Sequence, residues 1–360
     1  MFPLITHFEK LLKNIQPPKE RLDVAQELPG KIRNYIKASK DFLTVEPHTR
    51  LAGSYAQHMA VGDVKDVDTL VRVPGNPEAN EPEAKKLILD LKKLLDKLPE
   101  SLGYEGYAAV DVERARRSIH VYFKDKDFHL DFVPCIAPDG FEKMLYVPDR
   151  GFNKWIPSHP IGYINLLNEL NEKFDNKVKP LGKLLKHFRD HQMKTRKPKS
   201  YWLGALLIYH IHKGNLDMTQ SLGVLFHDLL DAIDRQYKHL IWTSETATPN
   251  LPDPMLGHNV SWNWNRSHFK TFMRRIQDGQ SWADKALQTN DRETAILHWQ
   301  KIFGEEYFPT EVEISASELA KAGLPGQSFV TSTGLILPSQ PVSGIYTPTQ
   351  STKFHGTEQI

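Results

Sequence analysis

A single cysteine, Cys135, stands in 360 residues. That excludes an internal disulfide framework and any cysteine-rich zinc module. Its place after Val133-Pro134 reads as a small packed residue rather than a thiol nucleophile. Long apolar runs are missing too. No stretch approaches the roughly 18 apolar residues that span a bilayer, so no membrane role is expected. Charge of one sign is also scarce. Lys plus Arg is 46 and Asp plus Glu is 44, a formal net charge of +2. A protein that coats nucleic acid needs a clear basic excess, because phosphate neutralisation dominates such binding. No internal repeat is found. What remains is an ordinary globular composition, 40% hydrophobic and 25% charged, in a chain long enough for two cores. Residues 1–16 mix Phe2, Leu4, Ile5, Phe8, Leu11, Leu12 and Ile15 with Glu9, Lys10 and Lys13. That pattern is an amphipathic helix and lacks the uninterrupted apolar centre of a signal peptide. A soluble cytoplasmic protein is expected.

The periodicities divide the chain. Helix signals cover 18–44, with Pro29-Gly30 expected to bend or break the segment. A short strand at 49–53 runs into a Gly-Ser turn. Residues 66–73 alternate as a strand, with Val67, Thr69, Val71 and Val73 on one face and Asp66, Asp68, Leu70 and Arg72 on the other. Ala84, Leu87, Ile88, Leu91, Leu94, Leu95 and Leu98 mark an amphipathic helix over 83–98. Strands follow at 117–123 and 128–133, joined by a turn at Lys124 to Asp127. After 150 strand signals stop. Helices are expected near 159–174, 177–194, 200–213, 216–239, 266–288 and 291–303. The expected fold class is therefore α+β, with an N-terminal α+β domain over 1–155, a helical domain over 156–310 and a weakly ordered tail over 311–360. The tail has 6 charged residues, 13 Ser or Thr, 5 Gly and 4 Pro in its 50 positions, too little apolar surface to offset ordering entropy. Within it, Phe329-Val330 and Leu335-Ile336-Leu337 read as a short pairing strand or a docking motif.

The chemistry sits in Leu51-Ala52-Gly53-Ser54-Tyr55, then Asp66-Val67-Asp68, then Leu130-Asp131-Phe132-Val133. Asp66 and Asp68 are two apart on a strand, so both carboxylates leave one face. Two carboxylates that close repel, and a divalent cation reverses the sign of the problem. Mg²⁺ is hard, takes oxygen ligands and is held by one or two carboxylates plus substrate phosphates. Asp131 faces away from Leu130 and Phe132. If its strand lies beside 66–73, three carboxylates converge and can hold two metal ions about 4 Å apart, the clamp used in phosphoryl transfer. Gly53-Ser54 ends a strand and opens a helix, where backbone N–H groups and the helix terminus favour a phosphate. Each piece alone is weak: Gly-Ser pairs fill turns, Asp-x-Asp is common on exposed strands, and Asp131 alone could be a capped strand end. The ordered combination is specific.

That ordered set resembles the polymerase-β-like nucleotidyltransferases. Further residues narrow the likeness to the bacterial cyclic GMP-AMP synthase-like enzymes, the CD-NTases of cyclic-oligonucleotide antiphage signalling. Tyr146-Val147-Pro148-Asp149-Arg150, Trp155 and His159-Pro160 are similar to that family's domain-crossing segment. Lys183 to Arg189, Ser200-Tyr201, Asp253-Pro254, and Trp299 with Phe303-Gly304 to Phe308-Pro309 are similar to its helical half. The likeness runs over about residues 5–310. It implies an enzyme that joins nucleoside triphosphates into a cyclic di- or trinucleotide by attack of a ribose hydroxyl on an α-phosphorus. It implies two Mg²⁺ ions, with Mn²⁺ as a substitute, held by Asp66, Asp68 and Asp131. Gly53 and Ser54 would hold donor phosphates. Lys186 and Ser200 would touch the triphosphate, and Tyr201 would stack on a base, a contact worth about 1–3 kcal/mol. A separate effector would bind the product; the tail is by default an unmodified disordered end, with docking of a protein partner or conjugation to one as the alternatives. With one cysteine, DNA gating through a zinc insertion is not expected. The alternatives are a template-independent RNA-end or linear oligoadenylate nucleotidyltransferase, or a catalytically silent nucleotide sensor.

Bland readings stand beside several of these. Lys186 could be a solvated helix residue, Ser200 an N-cap for a helix beginning at Tyr201, and Tyr201 simply packed. The turn continues as Tyr55-Ala56-Gln57-His58, without a basic residue. His187 with His191 and His210 with His212 lack the further ligands zinc needs. Lys194 to Lys199 reads as a solvated basic loop, or as a triphosphate funnel or an RNA contact. Arg114, Arg116 and Arg117 read as a charge cluster at a strand edge, or as a nucleotide contact.

Overall fold

The computed structural model describes residues 4–63, 66–103, 110–242, 249–312, 329–330, 336–337 and 347–348. In chain order it runs α1 (Ile5–Asn14), α2 (Lys19–Ala38), β1 (Thr49–Ala52), the one-turn α3 (Gly53–Ala56), β2 (Asp66–Val73), α4 (Ala84–Asp96), α5 (Leu98–Ser101), β3 (Val110–Arg114), β4 (Ile119–Phe123), β5 (Phe128–Ile136), β6 (Leu145–Asp149) and β7 (Lys154–Ser158). Helices follow: α6 (Pro160–Lys173), α7 (Val178–Gln192), α8 (Ser200–His212), α9 (Leu222–Tyr237), α10 (Arg266–Gln288) and α11 (Arg292–Phe303).

The main sheet has the order β1-β2-β5-β4-β3, with β6 attached to β5 and β7 to β6. Strands β2 and β5 are parallel and the other neighbours antiparallel. Alternation decides its faces. Val67 and Val71 of β2, Leu130 and Phe132 of β5, and Val121 of β4 share one core with Ile88, Leu91 and Leu95 of α4 and Ala25, Ile32 and Ile36 of α2. The polar residues between them are left on the opposite face, which becomes the floor of a cleft. Cys135 is buried on β5, and burial pushes its thiol up to about 12, so it is a packing residue.

The second core is helical, and α1 belongs to it. Phe8, Leu11 and Ile15 pack with residues of α7 to α11. The Phe8 ring meets Trp299 edge-on at 4.9 Å and Phe308 at 5.3 Å. Asn14 Nδ2 donates to the Tyr307 carbonyl at 2.8 Å. At the far end of α1 the Gly62 N–H donates to the Ile15 carbonyl at 2.7 Å, tying the helix to the loop before β2. Met59, from that loop, is buried in the helical core as well.

Several elements differ from the sequence expectations. Helix α2 runs unbroken through Pro29. Proline removes one backbone donor there, and Leu28, Ile32 and Ile36 buried on the same helix supply packing that offsets the loss. Strands do not stop at 150: β7 reaches Ser158, so the sheet extends three residues beyond the boundary drawn at 155. Pro148 and Pro157 obscured the β6–β7 pair, but they lie in a two-stranded extension that meets the main sheet only through Ile136 and Tyr146, where few ladder donors are needed. Strand β3 was missed because it is a short edge strand with Asp111, Glu113 and Arg114 among its five residues. Helix α9 starts at Leu222 rather than 216. Asp217 accepts from Thr219 and Gln220, and Lys177 Nζ donates to the carbonyls of Met218, Thr219 and Gln220, which fixes 217–220 as a turn.

Most of the stretch 311–360, expected as a weakly ordered tail, lies outside the described residues. Within it β8 (Phe329–Val330), β9 (Ile336–Leu337) and β10 (Thr347–Pro348) pair antiparallel in the order β10-β8-β9, so Phe329-Val330 does form a pairing strand.

Candidate active site

The parallel register of β2 and β5 sets Asp68 opposite Asp131 and Asp66 opposite His129. The antiparallel register of β4 on β5 sets His120 opposite Asp131. Three carboxylates and two imidazoles thus share one sheet face, while Val67 and Thr69 turn into the core. On the other side of β2, Ala52 pairs with Asp68 and the chain then turns at Gly53 with φ +67°. A Cβ at Gly53 would lie 1.7 Å from Asp68 Oδ2. Only glycine accepts both that dihedral and that approach, so the Gly-Ser turn sits directly over the Asp68 carboxylate.

Asp131 has imidazole neighbours, but the Asp68 carboxyl is under-compensated. Burial, then the neighbouring charges of Asp131 and Asp66, push the Asp68 carboxyl up to about 7. Among the described residues no hydrogen bond or ion pair reaches it. Burial raises Asp131 too, while His120 and His129 pull it down, and His120 Nδ1 is hydrogen-bonded to Asp131 Oδ1. Among the described residues no three His, Cys, Asp or Glu side chains are drawn close enough to cage an ion. Asp131 is turned onto His120. The donors are nonetheless hard oxygens, and the Asp68 carboxyl is short of positive charge. That set fits a divalent cation such as Mg²⁺.

The opposite wall comes from the helical lobe. Lys186 on α7 is only 4% exposed, so it is not a solvated helix residue. Its Nζ donates to the Met59 carbonyl at 3.0 Å. Burial and Arg189 push its pKa down to about 8, against the pull of Asp66 and Asp190. Ser200 is the first residue of α8, with Lys199 at the cap and no side-chain cap bond, so Ser200 does not cap the helix. Its Oγ accepts from Arg189 at 2.9 Å, which leaves its own O–H free to donate elsewhere. The Tyr201 hydroxyl donates to Asp253 Oδ2 at 2.8 Å, and its ring lies 4.9 Å from that of Tyr163. The ring is therefore held, yet 37% of the residue remains exposed. Burial and Asp253 raise both phenols, so both remain protonated.

Seven of the eight residues singled out from the sequence line one cavity of about 250 Å³: Gly53, Ser54, Asp66, Asp68, Lys186, Ser200 and Tyr201. Asp131 lies beside it with His120. His120, Asp68 and Tyr201 also line a larger chamber of about 630 Å³ that reaches Arg116, Arg117, His258 and Trp262. His120 was not singled out from the sequence, while Arg116 and Arg117 had a nucleotide contact only as an alternative reading and the 253–263 wall only the family-like Asp253-Pro254. His120 had a usable signal, since it alternates with Ile119 and Val121 and so faces as Asp131 does. His187 is spent on the Phe303 carbonyl at 2.8 Å and His210 on Asn215 at 2.8 Å. A glycine also shapes this wall. A Cβ at Gly204 would lie 1.9 Å from the Tyr163 hydroxyl. Gly204→Ala is expected to cost about 1–3 kcal/mol by overpacking and, by displacing the Tyr163–Tyr201 pair, to raise the KM for triphosphate; thermal melts and initial rates measure the two effects.

Residues 3–171 match the family described as the Second Messenger Oligonucleotide or Dinucleotide Synthetase domain. A cyclic AMP-AMP-AMP synthase from Acinetobacter is 27% identical over 343 residues, covering 93% of this chain and 94% of that relative. Through these matches the chain is similar to the CD-NTases. Two solved structures share its fold. Escherichia coli MS115-1 CdnC, in its complex with HORMA-deltaN, has a TM-score of 0.63 at 16% identity, over 84% of this chain and 97% of that one. Bradyrhizobium diazoefficiens CdnG in complex with GTP has a TM-score of 0.61 at 18% identity, over 84% and 96%. The chain thus has the α+β, polymerase-β-like fold of these structures, and its matches make it a nucleotidyltransferase. Among its described residues no helix is long and apolar enough to cross a membrane.

Proposed function

We propose that this chain is a CD-NTase that joins nucleoside triphosphates, ATP among them, into a cyclic di- or trinucleotide second messenger for antiphage signalling. The observation that carries the reading is the junction of two spaces at Asp68. One holds the Gly-Ser turn, Lys186 and Ser200; the other is large enough for a second nucleotide. The Acinetobacter relative, named a cyclic AMP-AMP-AMP synthase, supports ATP as substrate and a three-membered ring. The HORMA-deltaN complex of CdnC supports a protein partner for this chain, with the stretch after residue 311 as its docking or conjugation point.

In this reading the donor triphosphate lies in the smaller cavity. Gly53 lets the backbone approach its phosphates, Ser54 and Ser200 donate hydroxyl protons to them, and Lys186 supplies a point charge. The base rests on the Tyr201 ring, which Asp253 and Tyr163 keep in place. The acceptor's ribose hydroxyl comes from the larger chamber and attacks the α-phosphorus in line, so that pyrophosphate leaves toward Lys186 and Ser200. His120 holds one oxygen of Asp131, and among the described residues no hydrogen bond engages the other. Mg²⁺ bound by Asp66, Asp68 and Asp131 would polarise the attacking and leaving oxygens. Ring closure repeats the same attack once the linear intermediate has reoriented.

The test is product shape. The protein is incubated with labelled triphosphates and Mg²⁺, treated with phosphatase, and the residue is weighed by mass spectrometry. Label is expected to survive in a species without terminal phosphate. A resistant species with one phosphate fewer than its nucleosides, the mass of a dephosphorylated open chain, would point to a linear polymerase, and binding without pyrophosphate release to a silent sensor.

A further inference from the structure

Asp149 has a side chain only 1% exposed, yet it is surrounded by charge. Its carboxylate accepts from Arg116 Nε at 2.9 Å on both oxygens, from Arg117 at 3.5 Å, and from the backbone N–H groups of Gly151 at 2.9 Å and Phe152 at 3.2 Å. These donors hold its pKa below the usual carboxylate range despite burial. The two arginines are different. Their side chains are 50% and 52% exposed, and both line the larger chamber along with Asp68 and His120. Arg116 also lies over the Phe152 ring at 4.8 Å, and Lys154 lies over the same ring at 5.4 Å.

One buried carboxylate therefore anchors two guanidinium groups whose free edges face open space. A lone strand-edge cluster would need no such anchor. Burying a carboxylate is costly unless it is fully hydrogen-bonded, and here four donors meet that condition while fixing the arginines. Two cations against one anion leave a positive surplus on a wall of the larger chamber, whose lining does not include Lys186. Guanidinium groups held by one edge present their remaining N–H donors in a fork that matches phosphate oxygens.

We propose that Arg116 and Arg117 form a phosphate-binding subsite for the nucleotide that supplies the attacking hydroxyl. Its ligand is the 5′-triphosphate of the acceptor, first a mononucleotide and then the growing linear chain. The inference rests on the cyclase reading in taking that nucleotide as the occupant. The subsite gives the acceptor a second point of attachment remote from its reacting hydroxyl, so the linear intermediate is retained until it turns round. Asp149 is the positioning residue, and Arg117 is the one that can be changed without touching the short bonds.

The experiment measures binding of 5′-triphosphorylated linear diadenylate to the full-length protein by equilibrium dialysis in Ca²⁺, beside the same dinucleotide with a 5′-hydroxyl. Arg117→Gln is expected to weaken the triphosphorylated ligand about tenfold or more, the loss of one charged hydrogen-bonded contact, and to affect the 5′-hydroxyl ligand much less. Arg117→Lys is expected to recover part of the loss. Equal weakening of both dinucleotides would move the contact to the internal phosphodiester and overturn the triphosphate assignment. Affinity within twofold of wild type in Arg117→Gln and Arg117→Glu would overturn the subsite altogether. Because binding is read without turnover, either result is separate from the product-shape assay, which alone decides the cyclase reading.

Discussion

Replacing Asp68 by Asn is expected to abolish product while making the protein more stable. Losing a group that stabilises developing charge costs on the order of a thousandfold in rate, and Asp66→Asn and Asp131→Asn should do the same. The stability effect follows from the pKa. In the unfolded chain the carboxyl titrates near ~3.9; in the fold it is held up at about 7. Between those values the folded state binds a proton that the unfolded state has lost. Above pH 7 the fold carries a charge that its surroundings disfavour. The penalty grows from about pH 4 to about pH 7 and is then constant. Asparagine does not ionise, so Asp68→Asn should raise stability at pH 8 by about 1–3 kcal/mol, or roughly 2–8 °C in Tm, with the gain fading toward pH 4. Added Mg²⁺ should raise the wild-type Tm and leave the variant nearly unchanged. A variant that melts lower at pH 8, or that still makes product at the wild-type rate, would refute the electrostatic account of this site.

Adding one methyl group at Gly53 should be nearly as damaging. Gly53→Ala places a carbon 1.7 Å from Asp68 Oδ2 and 2.7 Å from its Cγ, at a φ of +67° that L side chains rarely adopt. Either the turn or the carboxylate must move. Displacements near 1 Å in a reacting constellation cost about a hundredfold, so kcat should fall by that order. Ser54→Ala removes one hydroxyl donor and nothing else, and should act mainly on KM. The pair of measurements separates backbone approach from side-chain donation. If Gly53→Ala retained activity within a few-fold, Asp68 would have room to swing aside and the turn would not fix it.

The site was more legible than the walls around it. Asp66, Asp68 and Asp131 could be read because strand alternation fixes which face a residue takes, and one assumption about neighbouring strands brought them together. Lys186, Ser200 and Tyr201 came from likeness to a family and converge on the same cavity. What periodicity could not reach was contact across long separations. His120 meets Asp131 only because β4 lies beside β5. Asp253 meets Tyr201 across 52 positions. Arg116 and Arg117 looked like edge charges until Asp149, 33 and 32 positions away, supplied the anchor. Pro29 misled in the other direction, since burial on both sides of it outweighs one lost backbone bond. The β6–β7 pair was hidden by prolines that a two-stranded extension tolerates.

The placement of α1 has a practical consequence for anyone shortening this protein. Its first residues look like a removable leader ahead of the sheet. They are a wall of the other lobe, with Phe8 wedged against Trp299 and Phe308, and they carry the carbonyl of Ile15 that receives Gly62, four positions before Asp66. Deleting residues 1–16 would open a hole in the helical core and release the loop that presents the first acid in one stroke. A fragment ending at 155 would keep the three acids and leave the apolar face of α1 with nothing to cover it. The cut that respects the packing runs through space between the lobes, and no single point along the chain reproduces it.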